Sequence, residues 1–592
     1  MASRHRVVDH IVGYLAAAGV DYVFGVDGAN IEDLYDAAHF RADITAVLAK
    51  HEFSAATMAD GYSRASSRLG VVAATSGGGS LNLVAGLGES FTSRVPVLAL
   101  IGQPPTALDG RGSFQDTSGR NGSLCAEALF SEISVYRRRV LTPGDIVTAL
   151  PEAVAAARAG GPAVLLLPKN VQQSLMEANG ADINGAVADP VDLRAGDPHP
   201  IARALQRARG PVTIIAGEQV ARDDARAELE ELRTALRARV ATVPDARDVS
   251  GSPGLGASSS LGVTGVMGHP GVADAVRNSA VCLLVGTRLS VTARAGLDDA
   301  LGAVRTLSIG SAAPYLPCTH IHSDDLRASL SRLTPAVTGR GRPPGLRGPD
   351  PMPRAELKPP AYHGEGIRYR DAMTVLDAAV PDGVDVVVDA GNTGAAAIHH
   401  LPVRRAGRFV VALGMGGMGY SFGAGIGMAF ARAMSARAKS EGLSRRVIII
   451  AGDGAFFMHG LELHTAIQYR LPVTLVLFNN NAHAMCVTRE QLFYDDLYSY
   501  NRFGPSRLGA GLAAMFPGLP SVDVDEVGAL PDALRTALDI EGPSVVSIEC
   551  SADEIPPFAP FLAKSLPTVA VPQPNSTDLT HKEDRSDVAA RA

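Results

Sequence analysis

The sequence holds 592 residues, 46% of them hydrophobic and 19% charged, with a net charge of −7. That much apolar material can fill several cores and excludes wholesale disorder. The acidic balance, without a dense Lys/Arg block, argues against nucleic acid as a partner. The basic residues are nearly all Arg, with only six Lys. The N-terminal stretch has neither the apolar run nor the cleavage pattern of a signal peptide, and no membrane association is expected. Five scattered cysteines without a CxxC pair predict neither a zinc site nor a disulfide framework. The expectation is a cytoplasmic protein of several domains.

Along the chain, short apolar runs alternate with Ala-rich helical stretches, the pattern of parallel sheets covered by helices. A first block carries strands at 21–26, 70–75, 95–102 and 162–168, then a Gly/Asp/Pro-rich linker at 176–198. A second, smaller block has strands at 211–217, 281–289 and 304–311, and ends in a Pro/Gly/Arg-rich linker at 339–360. A third block has strands at 384–391, 408–414, 446–454, 473–480 and 543–550. The predicted class is therefore α/β, with three doubly wound parallel-sheet domains over 1–185, 195–340 and 365–565 and a disordered tail over 566–592. The first and third share an architecture.

The most specific signal lies in the third block. One buried strand ends in Gly452-Asp453-Gly454, and the next ends in Asn479-Asn480-Asn481, 27 residues later. One β-α-β unit of that length sets both polar ends side by side at the carboxyl edge of the sheet, where ligands bind. A carboxylate and an amide oxygen there suit a hard divalent cation that would hold phosphate oxygens.

GDG followed by NN at this spacing resembles the thiamine diphosphate motif of the acetolactate synthase, pyruvate oxidase and 2-oxoacid decarboxylase superfamily, over roughly residues 5–565. The resemblance implies pyrimidine-binding, central and diphosphate-binding domains, in that order. It implies Mg²⁺ held by Asp453, Asn480 and the carbonyl of Ala482, and a diphosphate turn at Asp389–Thr393 using Gly391, Asn392 and Thr393, with Gly454 and Ala455 adding backbone contacts. Met418 matches the bulky residue that props the cofactor in a bent shape, and Met485 the Met of the loop after the metal site. In the first block, Lys50-His51-Glu52 before an Ala-rich helix resembles the catalytic glutamate segment, whose carboxyl hydrogen-bonds the cofactor's aminopyrimidine N1′. The 75–87 segment, TSGGGSLNLVAGL, resembles the family's Gly-rich turn. Members set the Glu-bearing domain of one subunit against the metal-bearing domain of another, which implies a homodimer or homotetramer.

Two local matches favour the acetolactate synthase side: Phe114-Gln115-Asp116, bordering the substrate, and Lys169 in PKNVQ, near the mouth. The chain has no adjacent His pair in the first block, as simple decarboxylases would; His399-His400 lies in the third and reads as a helix cap. Two departures count against branched-chain biosynthesis. Arg489 stands where a selective Trp would follow the loop Met, and Asp27 replaces a usual Pro. An Arg there suits a more anionic acceptor, and His483 beside the metal loop either moves protons or packs. The expected activity is a carboligase that decarboxylates a 2-oxo acid, pyruvate being the expected donor, and transfers the acyl unit to a second carbonyl. The alternatives are nonoxidative decarboxylation releasing an aldehyde, and a noncatalytic cofactor-binding relative. FAD occurs in the central domain of some relatives; the stretch between 200 and 340 carries no decisive flavin motif.

Overall fold

A computed structural model describes residues 4–177, 193–252, 255–257, 259–339, 341, 343–349, 354–404, 406–434 and 446–565. The predicted tail, and the part of the first linker between 178 and 192, lie outside the described residues.

Three parallel sheets carry the fold. The first runs, edge to edge, Thr45–Leu48, Tyr22–Val26, Gly70–Ala74, Val97–Gln103, Pro162–Pro168, Tyr136–Arg139. The third runs Phe409–Val411, Asp385–Val388, Val447–Gly452, Val473–Asn479, Ser544–Glu549, Ser521–Val524. Numbered in chain order, both read 2-1-3-4-6-5, so the shared architecture extends to the crossovers. The central sheet has five strands, Arg239–Thr242, Val212–Ala216, Val281–Val285, Arg305–Gly310 and Thr319–His322. Inner strands such as Gly70–Ala74 and Val281–Val285 are buried at every position, because helices cover both faces of a parallel sheet. Among the described residues no helix is long and apolar enough to cross a membrane.

The first and third domains meet through two helices, Glu52–Ser66 and Tyr420–Met434. Small residues let them approach closely. A Cβ on Gly61 would overlap the Ala424 carbonyl, and one on Gly427 the Met58 carbonyl. Around this crossing Phe24, Met58 and Tyr62 join Phe422, Ile426 and Met428 in one core. Gly61→Val is therefore expected to lower stability by about 1–3 kcal/mol, the usual cost of overpacking, well above the few tenths of a kcal/mol gained in helix propensity. A lowered thermal midpoint checks this; an unshifted one would mean the helices do not pack at this point.

A buried ion-pair network ties in the central domain. Arg64 pairs with Asp60 at 2.7 Å and approaches Glu89 at 3.7 Å and Glu218 at 3.8 Å. Arg408, from the third domain, reaches Glu218 at 3.6 Å and also pairs with Asp248, which Arg226 approaches at 3.5 Å. Burial pushes the Glu218 carboxyl up to about 7 against these cations.

Candidate active site

The adjacent strands Val447–Gly452 and Val473–Asn479 end together, so Asp453 and Asn480 lie at the same carboxyl edge. Asp453 already belongs to the helix Asp453–His459. Its Oδ1 accepts the Gly454 N–H at 3.0 Å and its Oδ2 the Ala482 N–H at 3.1 Å. It has no cationic partner among the described residues, and burial pushes it up to about 6. Asn480 donates its amide to the Tyr369 hydroxyl at 3.4 Å, while its Oδ1 is buried with no hydrogen-bond partner. A buried oxygen left unpaired next to an uncompensated carboxylate is costly by itself. Together they offer hard oxygen donors of the kind a divalent cation takes, and the residues fit Mg²⁺.

Beside them Gly391, at φ 98°, precedes the helix Asn392–His400. Nothing lies within 4 Å of a Cβ built there, and Asn392 Oδ1 is another buried oxygen without a partner. An open space over the N–H groups of a helix N-terminus, with Asn392 and Thr393 in its first turn, fits a diphosphate. Asp389, the first residue of the predicted turn, serves otherwise. Its carboxylate accepts the N–H groups of Ala390 at 3.0 Å, Gly419 at 3.0 Å and Ser421 at 2.9 Å, and so fastens the end of the Met418 loop. A Cβ on Gly454 would come within 2.5 Å of His483 Nδ1 and 3.3 Å of Met418 Cε, so Gly454, Met418 and His483 converge and 454 has no room for a side chain. His483 Nδ1 is buried without a partner, and the ring stands edge-on to Phe503 at 4.7 Å. Met485 and Arg489 lie one turn apart on the helix Ala484–Phe493 and share a face; Arg489 is exposed and enters no ion pair among the described residues.

From the first domain, Glu52 opens its helix and is 9% exposed. Asn82 donates to its Oε2 at 2.9 Å, and a Cβ on Gly79 would lie 3.0 Å from its Oε1. Gln115, at φ 60°, accepts from the Thr75 hydroxyl at 3.1 Å. Asn30 donates to the Ser76 hydroxyl at 2.8 Å. Lys169 does not stand free at the mouth: it bonds the Ala29 carbonyl at 2.7 Å and pairs with Glu32. The Glu52 side and the Met418 side meet within this chain. Glu462 accepts the Lys50 N–H at 3.1 Å, Phe53 stacks on His459 at 4.3 Å, and a Cβ on Gly417 would touch the Phe53 ring.

Three other features lie outside this constellation. Glu356, His399 and His400 bring ligand atoms within 4.8 Å of one another. Both ring nitrogens of His399 are committed, Nδ1 to the Met267 carbonyl at 3.0 Å and Nε2 to the Leu357 N–H at 3.1 Å, so the cluster acts as a clamp on the helix end. A cavity of about 500 Å³ lined by Arg68, Arg158, Arg222 and Asp324 opens at the amino edge of the first sheet, across that sheet from Glu52. In the central domain, the turn after Val212–Ala216 carries Glu218 and Gln219, where a dinucleotide needs glycines for close backbone approach. Gln219 fills the crevice, donating to the Ser323 carbonyl and accepting the Ser311 N–H at 2.8 Å, while Glu218 is held in the ion-pair network. These residues give no support for FAD.

Asn82, Glu89, Tyr369 and Glu462 all contact predicted site residues or their loops without being marked in the sequence: Asn82 lies inside the Gly-rich segment 75–87, and the others belong to no motif.

Comparison with known proteins agrees with this arrangement. Sequence profiles of the thiamine pyrophosphate enzyme family match in three successive segments: the N-terminal TPP binding domain over 5–122, the central domain over 199–311 and the C-terminal TPP binding domain over 389–548. The chain is 26% identical over 566 residues to the acetolactate synthase isozyme 2 large subunit of Escherichia coli K12, covering 92% of this chain and 95% of that protein. It is 26% identical over 571 residues to the acetolactate synthase large subunit of Lactococcus lactis subsp. lactis, covering 91% and 92%. The crystal structure of benzoylformate decarboxylase from Polynucleobacter necessarius shares the fold at a TM-score of 0.76 and 18% identity, covering 93% of this chain and 100% of that one. The chain belongs to the thiamine pyrophosphate (thiamine diphosphate) enzyme family, close to the acetolactate synthase large subunits.

Proposed function

We propose that this enzyme is an acetolactate synthase-like carboligase, decarboxylating a 2-oxo acid, with pyruvate as the expected donor, and transferring the acyl unit to a second carbonyl. The observation that carries this reading is the convergence of the Glu52 helix on the Met418 loop, beside the unpaired oxygens of Asn480 and Asn392. When bound, thiamine diphosphate supplies the carbon nucleophile that attacks the 2-oxo acid and the electron sink that lets CO₂ leave.

The chain's own residues do the rest. Asp453, Asn480 and the Ala482 carbonyl would hold Mg²⁺; Gly391, Asn392, Thr393, Gly454 and Ala455 would hold the diphosphate; Met418 would prop the bend, with Met485 beside it. Glu52 would hold a proton at N1′ of the pyrimidine, one of its oxygens already fixed by Asn82. Gln115 and His483 would face the reacting carbonyl. The pairing of Lys169 with Glu32 makes its proposed role that of fixing the mouth around Ala29. A homodimer or homotetramer is part of the reading, supported by the exposed apolar side chains Met415, Phe457, Met458 and Leu461. So is a reducing, cytoplasmic setting, supported by five cysteines all unpaired.

The test is product analysis with Mg²⁺, thiamine diphosphate and pyruvate. A 2-hydroxy-2-acyl acid or acyloin formed in step with CO₂ supports the proposal; acetaldehyde alone would replace it with simple decarboxylation, and no CO₂ with a noncatalytic relative.

Acceptor choice is assigned to Arg489, exposed and unpaired one turn beyond Met485. Arg489→Leu is expected to cost about 1.5–3 kcal/mol toward an anionic acceptor, the value of a hydrogen bond to a charged group, or roughly ten- to a hundredfold in acceptor kcat/KM. CO₂ release should be spared. A competition between charged and neutral acceptors reads this out, and equal losses for both would return Arg489 to the role of a solvated loop residue.

A further inference from the structure

Met418 sits in an irregular Gly-rich loop between the strand Phe409–Val411 and the helix Tyr420–Met434. Such a loop, with Gly416 at φ 66° and Gly419 at φ 87°, has little conformational preference of its own. A side chain meant to hold a cofactor's shape needs a rigid base. Two buried carboxylates supply it, one on each side of Met418. Asp389 takes the N–H groups of Gly419 and Ser421 on the C-terminal side. On the N-terminal side the acceptor comes from another domain: Glu89, on the helix Val84–Thr92 and 3% exposed.

The Glu89 carboxylate accepts three consecutive backbone N–H groups, from Gly414 at 3.2 Å, Met415 at 2.6 Å and Gly416 at 3.4 Å. Its own orientation is fixed by the Ser93 hydroxyl at 2.7 Å, and the Arg64 guanidinium lies 3.7 Å away. The fit is close: a Cβ on Gly414 would meet the Thr92 hydroxyl and lie 2.9 Å from Glu89 Oε1. A run of backbone N–H groups closed on one charge is a strong, geometrically exacting contact.

We infer that Glu89 is a positioning residue: it sets the height of Met418 from across the domain boundary, so that the docking of the first domain on the third and the shape of the bound cofactor are one and the same adjustment. The inference rests on the reading of Met418 as the cofactor prop and adds the group that controls it.

The test is Glu89→Gln, whose amide turns an NH₂ toward N–H donors and opens part of the grip. The diphosphate and metal residues are untouched, so calorimetric affinity for thiamine diphosphate with Mg²⁺ should equal that of the native protein. Hydrogen–deuterium exchange at C2 of the bound cofactor should slow by about ten- to a hundredfold, since a misplacement near 1 Å costs about 10². Met418→Ala should slow exchange as well, and in that background Glu89→Gln should add nothing, the non-additivity of two residues acting through one contact. Equal slowing in both backgrounds, or a loss of affinity in step with it, would make Glu89 merely structural and overturn the inference. Native exchange in Glu89→Gln with slow exchange in Met418→Ala would overturn it and leave the Met418 reading standing. Native exchange in Met418→Ala would overturn that reading first. Should Glu89→Gln fail to fold, Glu89→Asp keeps the charge opposite Arg64 while drawing it back from the loop, and is judged by the same outcomes.

Discussion

Asp453→Ala is expected to abolish Mg²⁺-dependent binding of thiamine diphosphate while leaving the fold intact. The side chain contributes the one carboxylate of the proposed donor set, and without the metal the two diphosphate charges would sit uncompensated in a buried pocket. Removing one partner of a buried charge pair costs about 3–5 kcal/mol, so the cofactor dissociation constant should rise by roughly 10²–10⁴-fold. The apo protein should tolerate the change. Burial without a countercharge already holds this carboxyl at about 6, and its hydrogen bonds come from backbone N–H groups, those of Gly454 and Ala482 among them. Calorimetric titration with and without Mg²⁺ decides: unchanged affinity in a folded Asp453→Ala variant would remove Asp453 from the metal site.

Glu52→Gln should act at the other end, on turnover and not on binding. The amide keeps the volume and a bond to Asn82 but cannot hold or release the proton that the proposed role requires. Cofactor affinity should be near native, whereas kcat should fall by about 10²–10⁴-fold, the range for acid–base groups. Steady-state CO₂ release from pyruvate measures this. A kcat within a fewfold of native would leave Glu52 as a helix-start carboxylate and nothing more.

What could be read from the sequence follows the physics of each element. Every inner strand of the three sheets was legible, because burial on both faces demands an unbroken apolar run: PAVLLLP at 162–168 and VTLVLFN at 473–479 are examples. The strands that escaped are edges. Thr45–Leu48, Tyr136–Arg139 (YRRR), Thr319–His322 (THIH) and Ser521–Val524 (SVDV) are short, half solvated and mixed in polarity, and Arg239–Thr242 (RVAT), though mostly buried, is four residues with a polar one at each end, so no periodicity marks them. The same division holds at the site. Asp453, Asn480, Gly391 and Glu52 sit at strand or helix ends inside contiguous motifs. Glu89 and Asp389 act on backbone N–H groups 325 and 30 residues away, and a backbone donor leaves no trace in a sequence. The pairing of Lys169 was not legible, because Glu32 reaches it through the fold and not along the chain.

The central claim is that Glu52 and the Asp453–Asn480 edge form one activating site for thiamine diphosphate. Hydrogen–deuterium exchange at C2 of the cofactor tests it most directly, measured on the native protein with Mg²⁺ and on the cofactor free in the same buffer. The account predicts exchange faster on the protein by orders of magnitude, with most of that gain lost in Glu52→Gln. Exchange on the native protein no faster than in buffer, with the cofactor demonstrably bound, would contradict it.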